Sequence, residues 1–411
     1  MSLFSLKDIY PRTMKHIFNS LGSNYNLAFA FGAVRRLFFP NRKDGETLKS
    51  ELEQRFGGEA RLFYKGRDAI QYALWVLGIG QGDEVLTQAL TCYAIEEAIL
   101  RTGARPVFVD VEENKVNLSV ESLKSAMVRS KKPRAVIIQN TLGIPADIEK
   151  ISRWCKESDL ALIEDLAQSL GAIGAGGKPV GSHGDAVVLS FGRDKIVDAV
   201  AGGAAILRKK AVRTFPLGGE VGMGVVFRDM VYPILTWKIR KTYVILVGKL
   251  IAKISRSVRL ITSAVASPTQ TATPLPSGYA GLARLQLKRL DEEIAHRRRI
   301  SGIYFSQLRN KNKFLITGDE VERGANLRFA FTTENPQKLI NHLEKKGVHL
   351  SDRWYRAPVD SGTLGAASVY REGSCPNAEK LSGQIMNLPT HRNVSEADAV
   401  RITDIINHFL K

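Results

Sequence analysis

The chain has 411 residues, 44% hydrophobic and 24% charged, with a formal net charge of +18. That length accommodates one large and one small core, and the composition is ordinary for a soluble globular protein. Three widely spaced cysteines, Cys92, Cys155 and Cys375, make neither a disulfide framework nor a metal cluster, and no zinc-ligand or aromatic RNA-binding pattern links the basic charge to nucleic acid.

The opening MSLFSLKDIYPRTMKHIFNS interleaves charge with apolar residues and lacks the apolar core of a secretory signal, so a cytoplasmic chain is expected. Residues 1–44, with LAFAFGAVRRLFFP, read as an N-terminal arm packing on the main domain. From residue 45 to 214 short apolar runs alternate with helical segments. EVLTQ, RPVFVDV, AVIIQN, LALIEDL, AVVLSF and AAILR predict buried strands; RDAIQYALWVLG, AIEEAILRTG and DIEKISRWCKES predict helices between them. This order predicts an α/β domain, a mainly parallel sheet covered on both faces, with ligands bound at the trailing strand ends.

Residues 215–276 predict an insertion. On one continuous helix from Met230 to Ile261, Lys238, Lys241, Lys249, Lys253, Arg256 and Arg259 fall on one side, opposite Val, Ile, Leu, Tyr and Trp. Charges interrupt the segment too often for a bilayer span, so contact with an anionic membrane surface is expected, or else burial against the protein's own sheet or a dimer mate. A Pro/Ser/Thr-rich connector, SPTQTATPLPSGY, follows. Residues 277–411 predict a helix leading into a smaller α+β domain. Its last helix is capped by Ser395 and faces Ile402, Ile405, Ile406 and Phe409 inward.

Two segments carry the chemistry. IEDLAQS places Asp165 at the end of one strand with Gln168 just after it, and SFGRDK places Ser190 and Lys195 at and beyond the end of the next. With GRDAIQYALWVLGIGQGDEVL, GARPVFVDVEENKVNL, LGIPADIEKI, GGAAIL and GLARLQLKRLDEEIAHRRRISGIY, they make the chain resemble the DegT/StrS family of nucleotide-sugar aminotransferases. The resemblance implies a fold-type-I, aspartate-aminotransferase-like homodimer that uses pyridoxal 5'-phosphate. It implies that Lys195 carries the cofactor as a Schiff base and moves protons, and that Asp165 keeps the pyridine nitrogen protonated. Gln168 is then expected near the ring hydroxyl, and Ser190 with the Gly66–Arg67 turn at the phosphate.

The chain departs from the family at three places. Arg67 replaces a common threonine; Cys92 takes the place of a stacking aromatic with Tyr93 beside it, so the Cys92 sulfur or the Tyr93 ring is expected against the cofactor; and Asn140 stands where many members have histidine. The implied reaction moves an amino group from glutamate to a nucleotide-linked keto-sugar. The residues alone leave duller roles open: a surface lysine at 195, a helix cap at 165, a polar helix residue at 168. Another fold-type-I reaction on a sugar, or a non-catalytic membrane-associated scaffold, is the alternative.

Overall fold

A computed structural model describes residues 15–263, 265–266, 271–362 and 364–410. The first 14 residues, which hold most of the segment tested for a secretory signal, and 267–270 of the connector lie outside the described residues. In chain order the strands are β1 (Ile17–Phe18), β2 (Glu59–Phe63), β3 (Glu84–Gln88), β4 (Arg105–Val109), β5 (Pro133–Gln139), β6 (Ala161–Asp165), β7 (Ala186–Ser190), β8 (Gly203–Leu207), β9 (Arg328–Thr332), β10 (Val348–His349) and β11 (Ile385–Pro389).

Seven of them form one sheet in the order β2-β8-β7-β6-β5-β3-β4. Neighbours from β7 to β4 are parallel, and β8 runs antiparallel to both β7 and β2. Six strands therefore point one way, which is the mainly parallel sheet expected, with β8 reversed. Period-two alternation decides the two faces. On β5, Ala135 and Ile137 enter the core beneath helices Gly66–Val76 and Tyr93–Leu100, while Val136 and Ile138 pack against helices Val120–Val128 and Ile148–Glu157. Both faces are covered, so the strands read as nearly unbroken apolar runs.

The C-terminal part builds around the antiparallel pair β9/β11 and helices Leu290–Gln307, Pro336–Lys345 and Glu396–Phe409. Ser395 caps the last helix by accepting the Asp398 amide at 3.2 Å. Ile402 and Ile406 are buried beneath it, with Ile405 and Phe409 packed alongside. The N-terminal arm does more than cover the main domain. Its helix Leu27–Phe38 buries Phe29 and Ala33 in the main core, but β1 pairs in parallel with β10 of the C-terminal part.

The insertion differs from the expected single helix. Helix Met223–Thr242 ends, Leu246 takes a left-handed φ of 64°, and helix Val247–Ser257 begins in a new direction. Lys238 and Lys241 stay on the first helix and Arg259 lies past the second, so the six cations do not form one stripe. The second helix has three faces. Gly248, Ala252 and Ser255 are buried; a Cβ on Gly248 would lie 2.3 Å from the Ile239 carbonyl oxygen, so the close approach requires glycine. Lys249, Lys253 and Arg256 face a large cavity, while Val247, Leu250, Ile254 and Val258 face solvent. Among the described residues no helix is long and apolar enough to cross a membrane.

Candidate active site

Strands β2, β3, β5, β6 and β7 end on the same edge of the sheet. Their closing residues and the loops just beyond them line a single cavity of about 1060 Å³: Gly66 and Arg67, Cys92, Gln139, Asp165, and Ser190 with Lys195. Parallel strands thereby gather residues that are up to 129 positions apart in sequence (Lys195 minus Gly66). Tyr93 is the one expected cofactor-binding residue left out. It opens helix Tyr93–Leu100 and packs beside the C-terminal core, while its neighbour Cys92 lines the cavity.

Asp165 is buried at the end of β6, where its carboxylate accepts the Ala167 amide at 2.9 Å. Burial pushes its carboxyl above the ordinary range, opposed by that amide and by the charge of Lys195. No ion pair neutralises it among the described residues. A buried carboxylate in this state favours a cationic ligand atom. Lys195 lies across the cavity with its Nζ 4.9 Å from the centre of the Trp354 ring.

The loop that carries Lys195 is held in an unusual shape. Asp194 and Val200 adopt φ of 63° and 71°, each costing about 1–3 kcal/mol for such residues. The buried Asp198 carboxylate offsets this by accepting the Asp194 amide at 2.9 Å and the Val200 amide at 3.0 Å. Asn24 of the arm donates to the Lys195 carbonyl at 2.8 Å, and Arg297 holds Asn24 at 2.8 Å. Sequence reasoning missed Asp198, Asn24 and Arg297. Asp198 is marked only as an acid within an apolar run, Arg297 as one of three arginines on a helix, and Asn24 in the polar turn NSLGSNYN by nothing at all.

At the other end, Gly66 and Ser190 form a cradle. A Cβ on Gly66 would lie 2.9 Å from Ser190 Cβ and 3.0 Å from its Oγ. Gly66→Ala therefore has to push the two segments apart, at a cost of about 1–3 kcal/mol. Thermal melting should fall accordingly and cofactor retention on gel filtration should be lost; a variant with wild-type melting and retention would contradict the cradle. Arg67 does not reach into this space: its guanidinium pairs with Glu97 and the Val265 carbonyl. The cation left at the turn is Lys65, which has no ion pair among the described residues and sits 5.0 Å from the Tyr64 ring centre. Burial pushes its ammonium down to about 8, so an anion beside it would be strongly favoured.

Gln168 lines the cavity with both polar ends engaged: Oε1 accepts the Leu142 amide at 2.7 Å and Nε2 donates to the Tyr355 hydroxyl. Tyr355 also accepts from Gln139 at 3.3 Å, so the RWYRAP segment of the C-terminal part is fastened onto the sheet edge. Asn140 is buried and shapes the next loop, accepting the Ala146 amide at 2.9 Å, and does not line the cavity.

Comparison with known proteins gives a consistent result. The DegT/DnrJ/EryC1/StrS aminotransferase family matches residues 62–214 and 275–407. A pleiotropic regulatory protein of Geobacillus stearothermophilus is 28% identical over 349 residues, 84% of this chain and 83% of that one. GDP-perosamine synthase of Escherichia coli O157:H7 is 26% identical over 371 residues, 87% of this chain and 89% of that one. A DegT DnrJ EryC1 StrS aminotransferase from Brucella abortus shares the fold with a TM-score of 0.69 at 22% identity, covering 93% of this chain and 95% of that one.

Proposed function

This chain belongs to the DegT/DnrJ/EryC1/StrS aminotransferase family, and from that premise we propose that it uses pyridoxal 5'-phosphate to move an amino group from glutamate to a nucleotide-linked keto-sugar. The observation that carries the reading is the pairing, in one cavity, of a buried carboxylate lacking a cation with a lysine across from it and an anion cradle beside both. When bound, the cofactor supplies an electron sink for bonds at the amino-bearing carbon.

The chain's own residues supply the rest. Asp165 offers the anion that a protonated ring nitrogen requires. The Gly66 turn at the N-terminus of helix Gly66–Val76, with Ser190 and the Lys65 ammonium, suits a phosphate. Lys195, once free, would move a proton between the donor carbon and the cofactor, with the Trp354 ring holding its amine in place. Gln168, fixed by Leu142 and Tyr355, presents one side to the cavity and positions what binds there. The wall formed by Trp354 and Tyr355 keeps water from the reacting face.

The same reading includes a homodimer. Helix Leu27–Phe38 exposes Phe31 and Phe38, apolar area that a second subunit would cover, and helix Val247–Ser257 separately exposes an arc of Leu250 and Ile254. If an anionic membrane is contacted, this apolar arc makes the contact, with the cavity-facing cations turned away from it. The test of the function is a panel of nucleotide-linked keto-sugars with glutamate as donor. Formation of an amino-sugar and 2-oxoglutarate in equal amounts is expected. A purified, cofactor-loaded protein that converts glutamate with none of the panel's acceptors, and releases no 2-oxoglutarate without them, would contradict it.

A further inference from the structure

The helix Val247–Ser257 lies in the stretch between the two family-matched segments, 62–214 and 275–407, which the family model leaves unmatched. Lys249, Lys253 and Arg256 recur at i, i+4 and i+7, which puts them within one arc of the helix. All three line the cavity that holds Lys195 and Asp165. None has an ion pair among the described residues, whereas two arginines of the same cavity are paired, Arg193 with Asp229 at 3.1 Å and Arg67 with Glu97.

Three like charges along one helix repel one another, and a multivalent anion bound among them relieves that repulsion. Next to them Tyr243 lines the cavity, with the Lys249 Nζ 5.4 Å from its ring centre. The cavity, at about 1060 Å³, is at the top of the usual range of about 300–1,000 Å³ for one small-molecule site. It has space for a second ligand beyond the sheet edge.

We propose that Lys249, Lys253 and Arg256 form a diphosphate subsite that grips the handle of the sugar substrate and sets its register against Lys195. The proposal rests on the function argued above and adds to it the residues that select the handle. A diphosphate can arrive on a nucleoside, whose base would lie by Tyr243, or on a prenyl lipid, whose chain would follow the outward apolar arc of Leu250 and Ile254. Spacing supports either source, since Cα atoms at i and i+4 lie about 6 Å apart along the axis, the reach of two linked phosphates.

The test is calorimetric titration of the cofactor-loaded protein with UDP, GDP, dTDP and, separately, farnesyl diphosphate at low salt. Three proteins are compared: wild type, the triple variant K249Q/K253Q/R256Q, and a charge-matched control, K238Q/K241Q/R259Q. Removing three exposed pairs should weaken diphosphate binding about tenfold or more, with the control within about twofold of wild type. The wild-type affinity should also fall as salt rises. Tighter binding of the nucleoside diphosphates identifies a nucleotide handle; tighter binding of farnesyl diphosphate identifies a lipid one, and both support the subsite.

Equal losses in the triple variant and the control, no loss in either, or no diphosphate binding by wild type would overturn it. Conversion of glutamate by the wild-type protein, followed by absorbance in the same preparation, keeps the two levels apart. If wild type converts glutamate but the triad does not affect diphosphate binding, only the subsite falls. If wild type does not convert glutamate, the functional reading itself falls.

Discussion

Asp165→Asn is expected to slow conversion of glutamate by about 10²- to 10⁴-fold, because removing one partner of a buried ion pair costs about 3–5 kcal/mol and each 1.36 kcal/mol is a factor of ten. Asparagine keeps the shape and can still accept the Ala167 amide. What it lacks is the negative charge. The pH dependence separates this role from a structural one. Burial raises the Asp165 carboxyl in the protein without a cationic ligand. A raised carboxyl gives stability that is present below its unfolded value and lost as pH rises through the folded value. Without cofactor, therefore, the asparagine variant should be at least as stable as wild type near neutral pH. With cofactor it should lose the extra stability that wild type gains. Absorbance half-reaction rates and thermal melting with and without cofactor read both effects. Near-wild-type turnover, or a variant destabilised only in the cofactor-free state, would show that Asp165 acts as a packing residue.

Lys195→Ala is expected to have the larger effect. General acid–base catalysis by a positioned group contributes about 10²–10⁴-fold, and alanine leaves no amine in its place. The fold should survive, because the neighbouring loop is fixed by backbone contacts that do not involve the side chain: Asn24 to the Lys195 carbonyl, and Asp198 to the Asp194 and Val200 amides. Melting within a few degrees of wild type, with turnover reduced to background, is the expected pair of results. Added small amines should restore part of the rate, since the cavity wall beside Trp354 would then be open at the position of the missing amine. Persistent turnover at more than about a tenth of wild type, as no general-base deletion of about 10²–10⁴-fold would allow, would move the base to another residue, such as Lys65 of the same cavity.

Much of this was legible because parallel sheets convert sequence order into geometry. IEDLAQS and SFGRDK are separated by 25 positions from Asp165 to Ser190, yet β6 and β7 are neighbours, so their trailing residues meet. Asp165 and Ser190, the polar residues closing these two apolar runs, therefore both point to the cavity. Side-chain direction was less legible. Arg67 stands at the phosphate turn in sequence, but Glu97 comes within reach from another helix and turns it away, leaving Lys65 as the available cation. No local pattern contains that information.

The insertion shows a different limit. A helical reading of Met230–Ile261 finds a basic side and an apolar side, and assigns them to a membrane surface or to burial against the sheet or a dimer mate. Here the buried side is the small-residue line of Gly248, Ala252 and Ser255, which lets helix Val247–Ser257 approach the preceding helix closely. Hydrophobicity alone does not reveal such contact. The break at Leu246 is equally silent, because a leucine at φ 64° carries no turn signature. Pairing of β1 with β10 spans 331 positions (Val348 minus Ile17) over two residues each, too short to leave a strand pattern.

Borohydride reduction of the cofactor-loaded protein, with proteolysis and mass spectrometry, decides whether Lys195 is the residue to which the cofactor attaches. One modified peptide is expected, the one containing Lys195, and the label should be lost from that position in Lys195→Ala. A label on Lys65 or on any other lysine in the wild-type protein would contradict the assignment and the mechanism built on it.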